Sequence, residues 1–192
     1  MPNPGQQNLS IFQEQPATSG QIFVDQQRNQ MLAAILKALT DGLLPVPGQI
    51  PGTGTNDNAD AGNVGEYISS TVLAGSAVGL TTATAANVTS ISLTAGDWDV
   101  WGAVANTVGA GTTTSLVVGW ISTTSATQPT SPNEGAYASD SRAVAANGVV
   151  TMPVGSKRIS LASTTTVYLG VRADFAVNTM AAYGFIGARR RR

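Results

Sequence analysis

Alternation of apolar and polar residues with period two constrains this chain more than any other feature, and Ile91–Val104 (ISLTAGDWDVWGAV) shows it most plainly. Ile91 and Leu93 alternate with Ser92 and Thr94, Ala95-Gly96 interrupts the run, and Trp98, Val100, Gly102 and Val104 resume it. Strand side chains point to opposite faces in turn, so Asp97, Asp99 and Trp101 share the other face. The stretch reads as an antiparallel hairpin with one buried face.

From Asn63 onward the same idiom recurs. Glu66–Leu73 reads as a strand, and Asn87–Thr94 leads into the hairpin. The run LVVGWI within Ser115–Ser122 is apolar throughout, as expected of a strand buried on both faces. A Ser/Thr/Pro loop follows through Ser131-Pro132. Ala143–Met152 carries Asn147-Gly148, a strong hairpin signal. Lys157–Ala162 alternates with Ile159 and Leu161 inward. In Thr166–Val177, Val167, Leu169, Val171, Phe175 and Val177 line one face, opposite Tyr168, Arg172 and Asp174. Met180–Ala188 closes the set with Tyr183, Phe185 and Ile186. About eight antiparallel strands at this spacing predict a mainly β fold, a jelly-roll sandwich over residues 63–192. Strands apolar on both faces exceed what one sandwich can bury, and a trimer would cover the surplus.

The rest of the chain is organised differently. Residues 1–24 are rich in Gln, Asn, Pro and Gly, with apolar anchors that include Phe12 and Phe23. Two readings fit: a disordered terminus, or an extended arm ordered in a neighbour's groove. Asp25 can cap a helix over Gln26–Thr40, which Gly42, Pro45 and Pro47 end. Leu32, Leu36, Leu39 and Leu43 form a stripe, widened by Met31 and Ile35. Such a short helix needs a partner: its own β-domain, a symmetry mate, or a larger assembly. Residues 45–62, PVPGQIPGTGTNDNADAG, read as a linker stiff in its first half and flexible in its second. The expected domains are therefore an arm with an anchoring helix (1–44), a linker (45–62) and a sandwich (63–192).

The chemical vocabulary is thin. The chain has no His and no Cys, which removes the commonest general base, the commonest zinc ligand and the thiol nucleophile. Charged residues make up 11% and the net charge is −1, so no global field gathers nucleic acid or anionic membrane. No secretory signal and no membrane span are legible. Asp97 and Asp99 read as a solvated pair flanking a turn rather than a reaction centre. Asn56–Ala61 begins like a calcium loop but has Ala61 and Tyr67 where Gly and Glu are required. The glycines near Gly52 and Gly109 lack phosphate-loop spacing. Arg189–Arg192 read as a solubilising tail, with nucleic-acid binding disfavoured. Exposed aromatics such as Trp101, with Asp97 and Asp99, are candidate contacts for a surface ligand. No enzyme, cofactor or metal is expected.

The segments SISLTAGDWDVWG, GWISTTSATQPTSP, TTTVYLGVRADF and MAAYGFIGARRRR resemble a β-domain of structural proteins from tailed bacteriophages. The similarity covers about Gly65 to Arg192 and does not reach residues 1–44. It implies a virion component, assembled in the host cytoplasm, of head-fibre, capsid-decoration or tail-fibre type, and it carries over no catalytic residue. A trimeric head fibre or decoration protein is the leading expectation. Phe12, Phe23, Leu32, Ile35, Leu36, Leu39 and Leu43 would make the oligomer and anchor contacts to other virion proteins. The alternative is a tail-tip protein that binds a receptor or host-surface glycan.

Overall fold

The computed structural model describes residues 19–40, 54–130 and 136–192, in two units, Met1–Asn56 and Asp57–Arg192. Among its described residues the first unit holds one helix, α1 (Ser19–Thr40). It begins earlier than its expected cap: Asp25 lies inside it and pairs with Arg28 at 3.0 Å. No proline separates Ala17 from Thr40, so nothing forces a later start, and Asp25 supports the helix through an i,i+3 contact instead. Met31, Leu32, Ile35 and Leu36 are 48–64% exposed. Phe23 and Leu39 fall within α1, while Phe12 and Leu43 lie outside the described residues.

Among its described residues the second unit has nine strands: β1 (Tyr67–Val72), β2 (Val78–Gly79), β3 (Ala86–Leu93), β4 (Gly96–Val108), β5 (Thr113–Ser122), β6 (Tyr137–Asp140), β7 (Val149–Leu161), β8 (Thr165–Ala176) and β9 (Met180–Arg190). The first sheet has the order β1-β9-β4-β7, and β2 extends the β1 edge along β9 after a 3-10 turn at Ala74–Ser76. The second sheet has the order β3-β8-β5-β6. With β1 and β2 sharing one position there are eight positions, four per sheet, and every pairing is antiparallel. Successive positions cross between the sheets except β5 and β6, which pair within the second, and the first position pairs with the last. That is the jelly-roll order predicted from the alternation.

Three local expectations are corrected. First, Ile91–Val104 is not a hairpin. Leu93 lies opposite Thr165 in the second sheet, whereas Gly96 lies opposite Leu161 in the first. Thr94-Ala95 therefore crosses between sheets, and Leu93 and Trp98 enter one core from opposite sides. Gly96, with φ +142°, supplies the bend. Period two is the same in a hairpin and in such an arch, so the pattern could not separate them.

Second, Asn147-Gly148 makes a turn, with φ +63° at Asn147, but β6 and β7 on either side belong to different sheets. The Asn147 N–H donates to Val108 O and the Val108 N–H to Gly148 O, both at 3.0 Å, so the turn extends the β4–β7 ladder. The limb expected after the turn, within Ala143–Met152, and the strand expected over Lys157–Ala162 run together as the single β7. Pro153 sits opposite Ala103 there, which an edge strand tolerates. Third, β8 stops at Ala176. Val177 is 86% exposed, and Ala173 takes an inward place.

Leu93, Trp98, Val104, Ile121, Leu169 and Ile186 are fully buried between the sheets. In β5 every residue from Val117 to Ile121 is buried, as the apolar run predicts. Its outer face is covered by the chain's own return rather than by another subunit. Trp120 stands opposite Tyr137 and Gly170, and Gln128 Nε2 donates to Tyr137 Oη at 3.4 Å. At the other border of the unit, Asn58 accepts from the Tyr67 N–H and donates to Tyr67 O, both at 2.8 Å, and so ties the incoming chain to β1.

Candidate binding face

The outer face of the first sheet gathers the exposed functional side chains. Register sets its rows. Tyr67, Arg189, Asp99 and Arg158 follow one another across β1, β9, β4 and β7. Ser69, Gly187 and Trp101 form the next row, then Thr71, Phe185, Ala103 and Pro153. Tyr67 and Trp101 stack diagonally, with ring centroids 5.9 Å apart and planes 28° off parallel. Gly187 allows this: a Cβ there would come within about 3.1 Å of both Tyr67 Oη and Phe185 Cε2. Beside the pair runs an open groove of about 310 Å³, floored by Ala103 and Ala105 and walled by Leu73, Thr151, Tyr183 and Phe185.

The other end of the face is ionic. Arg158 grips Asp97 with both Nε (2.8 Å) and Nη2 (2.6 Å), and Arg192 approaches the same carboxylate at 3.2 Å. Asp97 is only 5% exposed, so the expected solvated pair is overturned at this member. The Arg158 hydrogen bonds outweigh burial, and with the charges of Arg158, Arg192 and Arg191 they hold Asp97 below the ordinary carboxylate range. Asp99 is partly exposed and pairs with Arg191 at 3.4 Å. Arg189 is exposed and has no ion pair among the described residues. Trp101 is half-buried and Asp99 partly exposed, so both remain at the surface while Asp97 braces the arginines.

The arginine run is not a tail. It continues β9, and Arg190 shares the inward parity of Ile186 and Ala188. Arg190 is 5% exposed, donates from Nε to Glu66 Oε2 at 2.8 Å and from Nη1 to Ala95 O at 2.9 Å, and lies 4.3 Å over the Trp98 ring. A composition-based reading of four consecutive arginines overlooked this. The signal was present: extending the β9 alternation by one more step puts Arg190 inside. Arg158 and Tyr67, distant in sequence, carried no comparable signal.

Burial alone would raise the Glu66 carboxyl, but the Arg190 hydrogen bond, the Gly62 N–H and the Arg190 charge together hold it below its ordinary value. The Arg142 side chain and N–H lower Asp140 to about 2. Depressed carboxylates stabilise the fold fully above their unfolded pKa values, near 4, and lose that contribution as pH falls through the folded ones. With no His in the chain, the melting temperature is expected to be flat from pH 7 to 5 and to fall progressively below about pH 4. Thermal melts across this range check it, and a decline already under way between pH 7 and 5 would contradict it.

Among the described residues no group of three His, Cys, Asp or Glu could hold a metal, and no helix is long and apolar enough to cross a membrane. The face can stack, hydrogen-bond and pair ions.

No protein-family model matches the chain, and no curated protein does. Among solved structures it is similar to the infectious bursal disease virus Gx strain structure, at 12% identity and TM-score 0.40, over 74% of this chain and 37% of that one. It is similar also to the VP2 subviral particle of infectious bursal disease virus, at 12% identity and TM-score 0.38 over the same shares. The chain spans little more than a third of the length of these solved chains.

Proposed function

We propose that the chain is a structural component of a bacteriophage virion, a trimeric head fibre or capsid decoration protein. The observation that carries this reading is the coincidence of the jelly roll with the phage-like motifs. The segments that resemble phage proteins contribute to β4, β5, β8 and β9, the inner strands of both sheets, and to the end of the edge strand β3. The apolar stripe of α1, with Leu32, Ile35 and Leu36 exposed, supports a second element: association of three helices, with residues 1–44 fastening the particle contacts. Three linked copies would raise the strength of weak individual contacts through effective concentration. Phe12, Phe23, Leu39 and Leu43 belong to this anchor in the same reading.

Immunolabelling of intact particles with antibody against the β unit tests the location. Label over the head is expected, and no label on accessible particles would overturn the virion role. Sedimentation of the full chain reads the oligomer directly, and a monomer would remove the trimer. A second reading, a tail-tip protein that binds a receptor or glycan, is favoured by the accessible Tyr67–Trp101 stack with Asp99 beside it. Label confined to the tail would select it.

A further inference from the structure

We propose that the Tyr67–Trp101 platform and its arginine rim bind a carboxylated glycan, a chain of uronic-acid-type sugars. The inference rests on the second reading above and narrows it to a chemical class. Flat aromatic faces suit the apolar face of a pyranose ring, and this pair is held at a fixed angle over Gly187. Arg189 lies directly opposite Tyr67 on the same face, and Asp99 lies directly beyond it. Neighbouring strands are about 4.8 Å apart, so Tyr67 to Asp99 spans roughly 10 Å, enough for a disaccharide.

Charge selects the ligand. Among the described residues, Arg158, Arg189, Arg191 and Arg192 share this end of the sheet with the carboxylates of Asp97 and Asp99, an excess of positive side-chain charge on a chain whose net charge is −1. Asp97 is saturated by Arg158 and Arg192, which leaves Arg189 as the guanidinium offered to solvent next to the aromatic pair. A guanidinium fork matches a carboxylate bidentately. A neutral glycan would leave that fork unused. A phosphate chain would meet the Asp99 carboxylate, 37% exposed, in the middle of the row, whereas sugar hydroxyls can donate to it.

The test uses the full chain and titrates a galacturonic acid hexamer by calorimetry at low and high salt, with maltohexaose and a dT dodecamer as comparators. The acidic hexamer is expected to bind, and more weakly at high salt, as for an exposed ion pair. Arg189→Glu and Trp101→Ala are each expected to weaken binding about tenfold or more, with circular dichroism unchanged. Arg189→Ala gives a second, milder variant in case either of these misfolds. Binding that is indifferent to Arg189→Glu would overturn the proposal, as would preference for the dodecamer. Maltohexaose binding that is lost in Trp101→Ala, with no added affinity for the acidic hexamer, would overturn the acidic specificity and keep the receptor reading. Binding of neither glycan would remove both.

Discussion

Arg190→Ala is expected to lower the melting temperature of the β unit by about 10–20 °C, the consequence of losing about 3–5 kcal/mol when one partner of a buried ion pair is removed. Three connections meet at this side chain. It binds the Glu66 carboxylate at the base of β1, it donates to Thr94 Oγ1 and Ala95 O in the crossing between sheets, and it covers the Trp98 ring. Without it, Glu66 would be left buried and charged, with the Gly62 N–H still donating to its carboxylate. The control is the double variant Glu66→Gln, Arg190→Met. Replacing both charges by groups of similar shape removes the stranded carboxylate and is expected to recover much of the loss. A single variant as stable as the wild type would show that the latch is dispensable. So would a double variant no better than the single, if the single is itself mild.

The same residue shows what was legible in the sequence. Period-two patterning located nearly every strand and the fold class, because burial of one strand face leaves a direct trace in residue order. It could not assign strands to sheets. Leu93 and Trp98 look alike whether their strands pair beside each other or face each other across the core, and it is pairing with β8 on one side and with β7 and β9 on the other, braced by Arg190 almost a hundred residues away, that sets the second arrangement. The binding face was half legible. Asp99 and Trp101 were visible as an outward pair, but Tyr67, Arg158 and Arg189 join them through register, and register between strands distant in sequence leaves no local mark. Asp97 was misjudged for the same reason, since its burial comes from Arg158 on β7 and Arg192 beyond β9.

Gly170→Ala is the other change expected to have a large effect, about 3 kcal/mol or slightly less, the upper end of overpacking costs. On the outer face of the second sheet Gly170 lies opposite Trp120, and a Cβ at Gly170 would clash with Nε1 and Cε2 of the indole. The indole N–H meets no acceptor among the described residues, so packing alone places the ring. Its neighbours leave it little room: Val118 and Ile121 are fully buried, and Tyr137 stands on the adjoining strand. The ring must therefore swing out, with a red shift in its fluorescence and a melt lowered by about 10 °C. Trp120→Phe made in the Gly170→Ala background should cost less than in the wild type, because the smaller ring relieves the clash, and a double-mutant cycle measures that coupling. A neutral Gly170→Ala would mean that the ring is loosely held. The outcome bears on function, because a firmly held Trp120 leaves this part of the second sheet closed by its own chain. In the proposed reading, contact with a ligand then falls to the Tyr67–Trp101 pair on the first sheet.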